Sequence, residues 1–142
     1  MFKVRLLSAW LLVSVLLFLA AIHVYWARGG AWGNSASLPK VAGRRTINPS
    51  PAATMAVAAL LAIGAATIGG RAALFDARSW SPLFHFGAWA LAVVFLLRAI
   101  GNRKTFGFFK VVQGTPFAYW DTRLYSPLCL ALSLLAAVVA TG

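Results

Sequence analysis

The chain has 142 residues, 61% of them apolar, and the length fits one domain, residues 1–142. Only 11% are charged, 13 Lys or Arg against two acids, Asp76 and Asp121. A soluble domain carries about 25% charged residues, so most water-soluble folds are excluded, and the apolar content excludes disorder.

Four apolar runs follow in chain order. Leu6 to Trp26 is interrupted only by Ser8, Ser14 and His23. At about 1.5 Å per residue it spans a hydrocarbon core of roughly 30 Å. Lys3 and Arg5 before it resemble the start of a signal peptide. The run is too long for a 7–15-residue core, however, and no clean cleavage site follows, so it reads as a membrane span. Ala52 to Gly70 is a second run without charge, and Pro49-Ser50-Pro51 breaks the chain before it. Pro82 to Ile100 is the third, with His85 near its start and Arg98 near its end. Residues 126–141 form the fourth, which reaches only about 25 Å and suits a thin site or a start nearer Leu124. All four are too long for barrel strands and lack strict alternation. The predicted fold is all-α: a four-transmembrane-helix bundle, with helices over 6–26, 52–70, 82–100 and 126–141 and two longer loops on one membrane face.

Local chemistry supplies the expected ends. Ser81-Pro82 and Ser126-Pro127 read as N-cap followed by N1, where the missing proline N–H costs nothing. Gly69-Gly70 and Gly101 read as stops. Helices in lipid associate through close packing, and two carry small residues at four-residue spacing. One stripe is Thr54, Ala58, Ala62, Ala66 and Gly70. The other is Cys129, Ser133, Ala137 and Thr141. Either serves the bundle or a homodimer or membrane-protein partner. The single cysteine, Cys129, forms no internal disulfide and reads as an inert buried thiol.

The basic residues flank the runs. The side with both termini and the second loop holds Lys3, Arg5, Arg71 and Arg78. The other side holds nine: Arg28, Lys40, Arg44, Arg45, Arg98, Arg103, Lys104, Lys110 and Arg123. Positive charge marks the cytoplasmic side, so the long loops are expected inside and the termini outside, although Lys3 and Arg5 pull the other way. The charges form no continuous basic face, which argues against nucleic acid. They are expected to attract anionic membrane lipids.

The unusual residues gather on the long-loop face. His23, Tyr25, Trp26 and Trp32 run off the first helix into a glycine-rich turn. An ionisable residue in a membrane helix is a functional candidate, while Trp and Tyr at a helix end are ordinary interfacial anchors. Before the fourth run come Trp120, Asp121, Arg123 and Tyr125. A buried carboxylate needs a partner, and Arg98, Arg123 and His23 are the candidates. One reading is an ion pair that fixes the loop. The other is a His23–Asp121 pair for proton transfer, with Arg98 as anion or ion-pair partner. The third loop, about 25 residues long, alternates Arg103, Lys104 and Lys110 with Phe106, Phe108 and Phe109. It is expected to lie in the headgroup layer, rings down and ammonium groups out, over a cavity between helices. His85 lies about 220° round the third helix from Arg98 and reads as structural or interfacial. The two histidines sit at opposite faces with no acid or cysteine cluster, so no metal and no cofactor is expected.

Two motifs carry a family resemblance. The H-x-Y-W-x-x-G-G-x-W-G run at His23 to Gly33 and the W-D-T-x-x-Y-S-P-L-C run at Trp120 to Cys129 resemble the hallmarks of a small bacterial membrane family, the domain-of-unknown-function family 3995. Asn48-Pro49 and the run Leu97 to Gly101 extend the likeness to nearly the whole chain. The resemblance implies a four-helix protein of the bacterial inner membrane and brings no activity with it. His23, Tyr25, Trp26, Gly29, Gly30, Trp32, Arg98, Asp121, Tyr125, Ser126 and Pro127 occupy its motif positions. Two functions therefore compete. One is a non-enzymatic membrane protein that binds a lipid, a small apolar ligand or a membrane partner. The other is a membrane enzyme acting on an apolar substrate, with His23 and Asp121 as its acid–base groups. A transporter or channel ranks below both, because the helices hold so few polar residues.

Overall fold

A computed structural model describes residues 1–74 and 81–142, without the side chains of 34 and 35. Asp76 and Arg78, counted above, lie outside the described residues. In chain order the elements are α1 (Phe2–Ala27), α2 (Asn34–Ser37), β1 (Lys40–Val41), β2 (Arg44–Arg45), α3 (Pro51–Arg71), α4 (Ser81–Ile100), α5 (Pro116–Trp120) and α6 (Ser126–Thr141). A π turn, Asp121–Tyr125, joins α5 to α6. Four helical stretches are long and apolar enough to cross a membrane, the fourth running from Pro116 to Thr141. Their outer surfaces expose Leu7, Phe18, Ile63, Phe86, Val94 and Leu134. A surface of that kind suits lipid rather than water.

The bundle is two tightly packed pairs, α1 with α3 and α4 with α6, joined through α3–α4 and α1–α6 contacts. Its core is built from Ala9, Leu12 and Leu16 of α1, Ile68 of α3, Phe95 of α4 and Val139 of α6, with alanines between them. Alanine and glycine at the crossings bring backbones close enough for dispersion to hold them. A Cβ on Gly87 would meet the Thr67 methyl at 2.6 Å, and one on Gly70 would strike the Phe84 ring.

Three sequence expectations change here. Gly69 and Gly70 do not stop α3, which continues to Arg71; Gly70 is where Phe84 of α4 packs. The predicted α3 stripe is only partly internal. Ala58 is buried but Ala62 and Ala66 are exposed, because the packed face is centred on Gly64, Ala65, Ile68 and Gly69. In the α6 stripe Ser133 is buried and its hydroxyl donates to the Ala92 carbonyl of α4 at 2.7 Å, while Thr141 is exposed. Thirdly, Ser126 is no N-cap. It is already helical (φ −69°, ψ −45°), and its N–H donates to the Asp121 carbonyl in the five-residue π pattern. The helix starts at Thr115, whose side chain accepts the Ala118 N–H at 3.0 Å ahead of Pro116 at N1. Pro127 then falls within a continuous rod. A proline there leaves a carbonyl without its α-helical donor, and the widened turn just before it accommodates that defect.

The first long loop contains a feature that the helical reading had no place for. β1 and β2 form an antiparallel hairpin pairing Lys40 with Arg45 and Val41 with Arg44. Its two turn residues, Ala42 and Gly43, both have positive φ, 49° and 77°. That is the type I′ signature, whose twist matches the strands. The second long loop is also folded. Asn102 Oδ1 accepts the backbone N–H groups of Lys104, Thr105 and Phe106 at 3.1, 2.8 and 3.2 Å. Gly101 (φ 82°) ends α4, and it packs so closely against Gly107 (φ 92°) that a side chain on either would collide with opposing backbone.

Candidate functional site

Asp121 is wholly buried at the first residue of the π turn, and both of its oxygens are engaged. Arg98, at the end of α4, donates from Nη2 to Oδ1 at 2.8 Å. Oδ2 accepts from Lys110 Nζ at 2.9 Å and from the Gly107 N–H at 2.8 Å. Lys110 completes its shell with the Thr122 hydroxyl at 2.7 Å and the Gly107 carbonyl at 3.2 Å. Arg98 also stacks its guanidinium over the Phe106 ring at 4.9 Å. These contacts join α4, the Gly101–Gly114 loop and the π turn through one carboxylate. The close Gly101–Gly107 approach folds the loop back, and that fold delivers Lys110 and the Gly107 amide to Asp121.

Sequence reasoning placed Lys110 in the headgroup layer. The structure corrects this: its side chain is 1% exposed. The reason is electrostatic, since a carboxylate in a dry interior is costly until cations and N–H groups surround it. The only available signal was the scarcity of acids, which marked Asp121 but did not say which of several nearby cations would reach it. Of the three candidate partners, Arg98 is bonded to Asp121. Arg123 instead lies at the surface, donating to the Tyr119 hydroxyl at 2.6 Å and stacking on that ring. His23 engages its own helix.

His23 occupies a second place, with a different set of neighbours. Its Nδ1 lies 2.7 Å from the Leu19 carbonyl and its ring meets Trp26 edge-on at 5.2 Å. A carbonyl only accepts, so Nδ1 carries a proton, and in the neutral tautomer of that kind Nε2 is left as an acceptor. Trp26 is fixed in turn, its indole N–H donating to the Trp32 carbonyl at 2.8 Å. Both rings line a recess of about 260 Å³ between the end of α1, the hairpin and the start of α3. Arg45, Asn48, Thr54 and Val57 line it as well. Arg45 reaches the recess because it is the last hairpin residue, and α3 presents its first turns because Ser50 caps Ala53 with Pro51 at N1. Arg45 was counted in the sequence only as one of nine topological charges. Two-residue strands carry no periodicity that would have singled it out.

The remaining candidates divide between support and surface. The Tyr25 ring covers Gly30, where any side chain would collide with it, and its hydroxyl accepts the Trp32 N–H at 3.4 Å. Trp32 itself is 73% exposed. Tyr125 donates to the Ala36 carbonyl at 3.3 Å, tying the π turn to α2. Trp120 is exposed and packs on Tyr119 edge-on at 5.4 Å. The structure thus brings Arg98 and Asp121 together, and His23 and Trp26 together, in two arrangements that share no lining residue.

No curated protein and no solved structure matches the chain. A family model does match, over residues 16–136, a span that includes the His23–Gly33 motif, the run Leu97 to Gly101 and the Asp121 cluster. With that length matched, this multi-pass membrane protein belongs to the family described as protein of unknown function (DUF3995).

Proposed function

We propose that the protein is a non-enzymatic membrane protein that binds a small amphiphile in the recess at His23, on the long-loop face. The observation that carries this reading is the recess itself. It is concave, walled by Trp26, Val57 and Pro49, and supplied with a few convergent polar groups from three separate elements. Ligand sites usually combine these properties. The Asp121 cluster takes the other role, that of a fastener holding the second long loop to the bundle. An acid–base role for Asp121 draws no support from its setting, since the carboxylate is fully buried and every oxygen already accepts from a protein donor.

The proposal also sets the protein in a bacterial inner membrane with the long loops cytoplasmic. The support is the asymmetry of basic residues across the bundle. Native mass spectrometry of the detergent-purified protein tests the binding claim. The wild type is expected to retain one amphiphile per chain. Ala53→Trp, which fills the recess from α3, is expected to lose it at unchanged melting temperature. Equal retention by the two proteins would refute the recess as the site.

A further inference from the structure

The recess also constrains the head group of what it binds, and this inference rests on the recess being the ligand site. Arg45 brings a full positive charge to its rim. Among the described residues no acid answers that charge, because both ion pairs found there belong to Asp121. His23 contributes Nε2, which in the neutral tautomer with Nδ1–H on Leu19 is an acceptor, and no hydrogen bond to Nε2 is found among the described residues. Ala53, Val57 and the Trp26 ring supply apolar lining to the same recess. A ligand satisfying all three must carry an anion for Arg45, a hydrogen-bond donor for His23 and an apolar body. The donor is not an ammonium group, since Arg45 repels one and no acid lines the recess to offset that repulsion. A hydroxyl remains.

We propose that the recess selects an anionic phospholipid whose head group bears a hydroxyl, with the phosphodiester on Arg45 and the hydroxyl donating to His23 Nε2. Asn48 also lines the recess and offers an amide to either group. The Arg45 hairpin accordingly acts as a clamp over the headgroup. Its type I′ turn pairs Arg45 with Lys40 and so fixes the backbone that carries the guanidinium.

Titrations of the detergent-purified protein, read by native mass spectrometry, separate the elements of this claim. The probes are short-chain phosphatidylglycerol, phosphatidylmethanol (same charge, no hydroxyl), phosphatidylcholine and glycerol phosphate. Wild type is expected to bind phosphatidylmethanol about tenfold more tightly than phosphatidylcholine, because both present a phosphodiester and Arg45 repels the choline cation. It is expected to favour phosphatidylglycerol over phosphatidylmethanol about threefold to tenfold, the worth of a neutral hydrogen bond. Arg45→Gln should erase the first preference. His23→Phe should erase the second and keep the first, in a protein whose melting curve confirms that it is folded. Glycerol phosphate, lacking the apolar body, should bind at least about tenfold more weakly. If it binds as well as the lipid, the occupant is a soluble phosphate ester and the lipid assignment is overturned. If wild type binds phosphatidylglycerol and phosphatidylcholine alike while Ala53→Trp abolishes both, the headgroup inference fails and the recess stands. If Ala53→Trp changes neither, both readings fall.

Discussion

Asp121 sits between two cations, and that two-to-one ratio sets what substitution does. Removing Lys110 leaves a neutral Arg98–Asp121 pair with the Gly107 amide still bonded. Removing the acid leaves two cations facing each other in a site where Lys110 is almost wholly enclosed. Asp121→Asn is therefore expected to destabilise the protein by about 3–5 kcal/mol, the usual cost of stranding buried charge. Lys110→Met should cost clearly less, because its methylenes are replaced by similar volume. Thermal unfolding in detergent measures both, and a larger loss for Lys110→Met would contradict this charge account. Much of this site is legible in the sequence. With only two acids in the chain, Asp121 was bound to need partners, and Arg98 ends a helix at the matching depth. Lys110 was illegible because loop sequences do not declare which of their cations turns inward. That depends on two glycines, six residues apart, meeting backbone to backbone.

At the scale of elements, the four spans were readable from apolar length alone, and three of their starts and ends fell within a few residues of the structure. The fourth was read as starting at Ser126-Pro127 because that dipeptide looks like a helix start. Thr115-Pro116 has the same form eleven residues earlier, and it is the one whose hydroxyl accepts a backbone N–H. Nothing local distinguishes the two. The choice is made by Asp121, which is brought into its buried position only if the helix is already running. Thr115→Ala should thus lower stability by about 1 kcal/mol, a typical N-cap loss, whereas Ser126 supplies no cap to lose. Ser133 makes a similar point for packing. Ser133→Ala gives up one hydrogen bond to the Ala92 carbonyl and should cost about 1 kcal/mol. Ser133→Leu forces α4 and α6 apart and should cost about 1–3 kcal/mol more. Equal stability of the two variants in denaturant titrations would mean that α4 and α6 do not meet closely at this position.

At the scale of the whole molecule, the basic residues divide by task. Arg98 and Lys110 are spent on Asp121. Near the termini, Arg5 donates to the Gly142 carbonyl and Arg71 to the Ala140 carbonyl at 3.1 Å, placing cations at the negative end of α6. Arg28, Lys40, Arg44, Arg45, Arg103, Lys104 and Arg123 remain on the long-loop face without an acidic partner among the described residues. Seven such charges still outnumber those on the opposite face, so reporter fusions after Gly142 should report an extracytoplasmic C-terminus; a cytoplasmic signal would reverse the proposed orientation. The net charge thus has three uses, of which the sequence disclosed the topological one and, through Arg98, part of the pairing with Asp121. The use of Arg45 depends on a hairpin too short to leave a pattern.

The central claim is that ligand binding and loop fastening occupy separate places on the same face. A photoactivatable phosphatidylglycerol, with its reactive group beside the headgroup, tests it directly when crosslinked to the protein in nanodiscs and mapped by peptide mass spectrometry. The account predicts adducts on the peptides that contain Trp26 and Arg45 to Val57. Adducts concentrated on Leu97 to Phe106, beside Arg98, or spread evenly along all four helices, would contradict it.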